Sequence, residues 1–164
     1  LASEPGRLPA MADAARALKG LDQLRASKLS PAEKLERHIH GLVNIYFERP
    51  YLHRLLQKML REGSPTTVAD VGKALMRPVT AARREILAEG IAIGQFRAVD
   101  ARYISIAIDG ACSQLFSSSA SREIILEVAR LDANIVEGYA RSTATLILNG
   151  LLKDGDARDH APGL

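Results

Sequence analysis

Apolar residues along this chain recur at helical spacing, with no strand-like alternation. Leu52, Leu55, Leu56, Met59 and Leu60 fall at i, i+3, i+4, i+7 and i+8, the stripe of an amphipathic helix. Leu35, Ile39, Leu42, Val43 and Tyr46 form a similar stripe before it. Val68, Val71, Leu75, Val79, Ala82 and Ile86 form another after it. The pattern predicts an all-α fold, a multi-helix orthogonal and antiparallel bundle.

Start and stop signals divide the pattern into elements. Ser30 can cap a helix, with Pro31 at its first position and Glu33 closing a capping box. Pro50 ends that helix and starts the next, which Gly63 terminates as a residue just past the helix end. Ser64-Pro65 opens a long helix in which Pro78 predicts a kink, and Gly90 and Gly94 bring it to a stop. Asp100 caps a helix through Phe116, Ser117-Ser118-Ser119 forms a loop, and one unbroken helix is expected over 121–152. Its stripe is Ile125, Val128, Leu131, Ile135, Tyr139, Leu146 and Ile147. Residues 1–9, with Pro5, Gly6 and Pro9, read as a linker or arm. A weaker helix follows over 10–27, with Leu18, Leu21 and Leu24 on one side. Residues 153–164 read as a disordered tail, so 10–152 form one helical domain.

The helix after Asp100 changes the picture. Ile104, Ala107, Ile108, Ala111, Cys112, Leu115 and Phe116 cover more than one face, which implies a core on one side and a second partner on the other. Composition adds little beyond an ordinary globular domain of 164 residues, with 47% hydrophobic and 25% charged residues. The net charge of +3 is too small to argue for nucleic acid, and runs such as Glu33-Lys34-Leu35-Glu36-Arg37 read as a solvated helix face. A lone cysteine, Cys112, excludes an internal disulfide and fits a reducing, cytoplasmic setting. No apolar run reaches the roughly 18–20 residues of a membrane span, and none reads as a signal peptide. The chain begins at Leu1 and not at Met, which suggests a processed or truncated N-terminus.

Candidate chemistry is sparse. His38 and His40 lie about 200° apart around a helix and cannot share a metal. Cys112 has no base beside it in the sequence and reads as a small buried hydrophobe. Ser117 to Ser121 lacks the glycines of a nucleophile elbow. Gly90-x-x-x-Gly94 follows no strand and precedes no Gly-Lys-Thr, so it is no phosphate loop. Asp109, inside an apolar helix, calls for a salt bridge or a ligand. Thr67 to Arg84 superficially suggests a helix-turn-helix, but the apolar stripe runs straight through Leu75-Met76-Arg77 where a turn would sit. No acid/base pair or activated nucleophile emerges, so the chain reads as a non-enzyme without a cofactor or metal.

One stretch is more specific. Ile86-Leu87-Ala88-Glu89-Gly90-Ile91-Ala92-Ile93-Gly94-Gln95-Phe96-Arg97-Ala98-Val99-Asp100 resembles the junction between two helices in the regulatory half of the tetracycline-repressor family. Tyr46-Phe47-Glu48-Arg49-Pro50 resembles the joint that precedes a Leu-rich helix there, and Ile147-Leu148-Asn149-Gly150-Leu151 resembles the close of the final helix. The likeness spans residues 31–152 in order. It departs from the family in lacking the three-helix DNA-binding domain, so operator DNA would be reached only through a region outside this chain.

The resemblance implies a ligand-sensing, homodimeric regulatory domain whose last two helices build a four-helix bundle with a second copy. The expected interface positions are Ile104, Ile108, Ala111, Leu115, Tyr139, Thr143 and Leu146. The small residues Ala107, Gly110, Ala111, Gly138 and Ala140 would allow close approach. The effector would be a small hydrophobic molecule among Val43, Phe47, Leu56, Met59, Met76, Val79, Arg83, Cys112 and Phe116, with Asn44, His53 and Asp109 as polar anchors. The alternative is a dimerising adaptor that binds another protein and has no small-molecule cavity.

Overall fold

The computed structural model describes residues 7–153. The start of the expected arm (residues 1–6) and the expected tail beyond 153 lie outside the described residues. The fold is all-α. Helix α1 spans Arg7–Ala26, α2 Pro31–Glu48, α3 Pro50–Glu62, α4 Pro65–Val71 and α5 Arg77–Ala92. Helix α6 spans Ala101–Ser117, α7 Ser119–Leu126 and α8 Ala133–Leu151.

Helix α2 is the central element, packed against α1, α3, α5, α6 and α8. Its N-terminus carries the predicted capping box: Ser30 Oγ accepts from the Glu33 N–H, and the Ser30 N–H donates to Glu33 Oε2. Leu35, Ile39 and Val43 point from it into a core shared with Ile86 and Leu87 of α5, Ile108 and Cys112 of α6, and Val136, Ala140, Ala144 and Leu148 of α8. Lys34, expected on a solvated face, is instead only 3% exposed. The buried arc of a central helix is wide enough to include it, and its ammonium meets Glu89 of α5 at 2.8 Å.

The long helix predicted around Pro78 is continuous but not uniform. Between α4 and α5, residues Gly72–Met76 form a π turn in which the Arg77 N–H reaches back to Gly72 O. Proline cannot donate to the fourth carbonyl behind it, and the wider i→i+5 ladder absorbs that loss. No turn separates two helices at Leu75-Met76-Arg77.

The last helix is shorter than expected. The chain leaves α7 through Glu127, which is left-handed at φ 56°, and α8 begins only at Ala133. Asp132 sets that start, its carboxylate accepting from the Ile135 N–H at 2.9 Å. The apolar periodicity of Val128, Leu131 and Ile135 runs across this break and hides it in the sequence.

Gly94 closes α5 with φ 80°, but Gly90 lies inside the helix, buried against Phe96. Phe96 and Leu152 form an isolated antiparallel bridge. The Arg97 N–H donates to Leu151 O at 2.8 Å, and the Arg97 guanidinium donates to Leu152 O at 2.9 Å. Gln95 Oε1 accepts from the Ala32 N–H at the start of α2. The sequence phrases at the α5–α6 junction and at the end of α8 are therefore the two halves of one contact.

Candidate ligand cavity

A cavity of about 710 Å³ lies between α1, α2, α3, the π turn, α5 and α6. This volume falls in the usual range of small-molecule sites, about 300–1,000 Å³. Helix α1 supplies Leu18, Leu21 and Leu24, α2 supplies Leu42, Ile45 and Tyr46, and α3 supplies Leu52, Leu56 and Leu60. Val71, Leu75, Met76 and Val79 continue the apolar wall along the α4–α5 segment.

Three polar groups of the wall, Arg83, His38 and Asp109, are connected, and Arg37, His53, Gln57, Thr80 and Ser113 also line it. Arg83 of α5 is 1% exposed and binds three ways. Its Nε donates to His38 Nε2 of α2 at 2.8 Å, one terminal nitrogen donates to Ser105 O at 3.2 Å, and the other to Asp109 Oδ1 of α6 at 2.7 Å. The fork geometry of arginine lets one side chain join three helices. Burial, with the Arg83 charge adding to it, pulls the His38 imidazole down to a pKa of about 3. It is therefore neutral near pH 7 and accepts through Nε2, which leaves its own proton on Nδ1.

His53 stands apart from this network. It is 4% exposed, and neither ring nitrogen has a hydrogen-bond partner among the described residues. Burial lowers its pKa, so it too is neutral. Its ring packs edge-on against Tyr46, with centroids 5.0 Å apart, and Tyr46 makes a similar contact with Phe116 at 5.9 Å. Burial pushes the Tyr46 hydroxyl up to about 12, with Asp109 acting in the same direction.

The joint between α2 and α3 is held from α1. Arg49 lies between α2 and α3, and its Nε is 3.4 Å from Asp13 Oδ2. Tyr51, two residues before His53, donates its hydroxyl to the same carboxylate.

The structure places the sequence-predicted ligand residues in two groups. His53, Leu56, Met76, Val79, Arg83 and Asp109 line the cavity. Val43 and Cys112 are fully buried in the core, Met59 is also buried, and Asn44 faces solvent. Phe47 and Phe116 are half-buried against the core. Cys112, whose thiol burial raises to about 12, is a packed apolar group with no thiolate character.

Sequence reasoning missed α1 as a wall, although Leu18, Leu21 and Leu24 carry the signal. It also missed His38, whose partner is 45 residues away.

The expected interface residues are similarly divided. Ile108, Leu115 and Thr143 are buried within the protomer, and Ile104 packs against its core. Ala111 and Tyr139 are half-buried, the Tyr139 hydroxyl donating to Ala111 O. Leu146 alone of the seven is open, at 75% exposure, and Tyr103 and Ile106 of α6 are 71% exposed. The helical period turns the open face of α6 toward Tyr103, Ile106, Ala107 and Gly110. On α8 the open face carries Gly138, Ser142 and Leu146.

No helix among the described residues is long and apolar enough to cross a membrane. A search of curated proteins returns no match. Comparison with protein families finds a match to the tetracyclin repressor-like C-terminal domain over residues 28–156. The match takes in every helix from α2 to α8, and with them most of the cavity wall and both junction phrases. The chain belongs to the family of tetracyclin repressor-like C-terminal domains.

Proposed function

We propose that this domain is the effector-sensing and dimerising half of a cytoplasmic transcriptional regulator, acting on a DNA-binding helix-turn-helix domain outside these residues. The observation that carries the reading is the apolar cavity of about 710 Å³ into which a few buried polar side chains converge, within a chain of this family. A dimerising adaptor would need no such space.

The linkage would run through Arg83. It lines the cavity and also ties α5 to α2 and α6. A ligand that fits one arrangement of these helices better than another shifts the balance between them. Helix α6 would pass that shift to a second copy through its open face, Tyr103, Ile106, Ala107 and Gly110, together with Gly138, Ser142 and Leu146 of α8. A methyl group added at Gly110 or Gly138 would meet nothing within 4 Å, so both leave room for a close neighbour.

Thermal unfolding across a panel of hydrophobic small molecules tests the pocket. Stabilisation by some of them is expected, since a ligand bound only to the folded state raises its stability by mass action. Stabilisation by none would overturn the reading.

A further inference from the structure

We propose that ligands reach the cavity through the groove between α1 and the π turn, passing Leu18 and Leu75, and that this groove is an entrance and not part of the bound site. The proposal gives the effector pocket above its route of access and rests on that reading.

The first observation is a second, outer space. A groove of about 290 Å³ lies between Ala15, Lys19 and Asp22 of α1 and Ala74 of the π turn, and all four residues are exposed. Ala14 and Leu18 of α1, one turn apart, and Leu75 of the π turn line this groove and the main cavity alike. The two spaces therefore meet along one edge of α1. Alanine has little side chain to fill that divide, so Leu18 and Leu75 supply most of its bulk. Both are only half-buried, whereas Leu21, Leu52 and Val71 of the same cavity wall are buried.

The second observation is that Leu75 sits in the least regular part of its helix. The π turn Gly72–Met76 starts on a glycine, Pro78 follows two residues beyond its end, and none of its residues is buried. Glycine loosens a helix, proline withholds a backbone donor, and a wider turn packs its backbone less regularly. A leucine held there can change rotamer without disturbing a packed core.

The rival way in lies on the opposite part of the wall, at Arg37 and Gly41 of α2 and Ile106 and Gly110 of the neighbouring α6, all exposed. Ile106 and Gly110 belong to the face that the reading above gives to a second copy. A dimer would crowd that side and leave the groove beside α1 open.

Stopped-flow fluorescence with phenylnaphthylamine, a neutral probe that brightens on leaving water, reads association and dissociation rates. Ala74→Cys places a thiol on the groove wall outside the main cavity, and the native Cys112 is fully buried and does not compete for a thiol reagent. Capping the new thiol with benzyl methanethiosulfonate should slow association and dissociation together by about tenfold and leave affinity within about twofold, because an obstacle on the path raises the barrier without changing the end states. Dithiothreitol should restore both rates, which tells a blocked protein from a misfolded one. The same cap on Arg37→Cys should slow association far less.

Unchanged rates in capped Ala74→Cys, or stronger slowing in capped Arg37→Cys, would place the entrance elsewhere and overturn the proposal. Weakened affinity at an unchanged association rate would make the groove part of the bound site, and would overturn it too. Failure of the native chain to bind the probe would overturn the pocket reading itself.

Discussion

The ring of Phe96 occupies the space that a side chain on Gly90 would need. A Cβ built on Gly90 falls 2.8 Å from the ring's Cγ and closer still to Cδ2 and Cε2. The Phe96 N–H also donates to Gly90 O at 3.0 Å, so backbone and ring are fixed by the same residue. Phe96 is fully buried, and its bridge to Leu152 ties the α5–α6 junction to the end of α8. Gly90 is thus required by close approach and not by an unusual backbone angle.

Gly90→Ala should therefore destabilise the fold by about 1–3 kcal/mol, the usual cost of overpacking. Gly20, inside α1, has nothing within 4 Å of a built Cβ. Gly20→Ala should raise stability by about 0.5–1 kcal/mol through helix propensity alone. Urea unfolding of the two variants checks both signs. Partial recovery of Gly90→Ala by Phe96→Leu would identify the clash as the cause.

Arg83→Met should cost about 2–4 kcal/mol, below the cost of breaking a fully buried pair because Asp109 is half-exposed. Arg83→Lys should recover only a minority of this, since one ammonium cannot span the positions of His38, Ser105 O and Asp109 together. Chemical denaturation ranks the three proteins, and equal stability of the lysine variant would argue against the three-way role.

Acid sensitivity follows from His38. Its folded pKa of about 3 lies below the ordinary 6.5, so the unfolded chain takes up a proton between these values and the folded one does not. Stability from this group is complete above about pH 6.5 and falls as pH drops toward 3. His38→Gln keeps an acceptor for Arg83 Nε but does not titrate. Midpoint temperatures measured between pH 7 and pH 4 should fall more steeply for the native chain than for this variant. Parallel curves would contradict the assignment.

Leu146 projects from α8 into solvent in the single chain. Leu146→Glu should leave the protomer's helicity and unfolding cooperativity intact while weakening self-association by tenfold or more, because it places a charge at an apolar contact. Light scattering over a dilution series reads this directly. A native chain that is monomeric at micromolar concentration would remove the dimer proposal.

The elements were legible where local chemistry and apolar period agree. Ser30 with Glu33, Ser64 with Pro65, and Asp100 each cap the helix expected of them. The break at Glu127 was not legible, because Val128, Leu131 and Ile135 keep helical spacing across it and Asp132 gives no strong cue among them. The π turn before Pro78 was not legible either, since a kink and a wider turn both accommodate a missing N–H. The cavity is a space left between helices, and a stripe of apolar residues does not say whether its far side is filled. His53, Met76 and Arg83 were found by residue type. Val43, Met59 and Cys112 have equally suitable types but point into packed core. The open faces of α6 and α8 depended on a helical register that two-sided apolar patterning leaves undetermined.

The central claim is that the space between α1, α2, α3 and α5 holds a ligand, and Gly41 allows a direct test. It lines the cavity on α2, and a Cβ added there meets nothing within 4 Å. Gly41→Phe should fill part of that space while leaving the fold at least as stable, because phenylalanine suits a helix better than glycine. Binding of a hydrophobic small molecule that stabilises the native chain in thermal unfolding, measured by calorimetry on the native chain and on Gly41→Phe, is predicted to be lost or weakened at least tenfold in the variant. Equal affinity in the two folded proteins would place the ligand elsewhere and contradict the account.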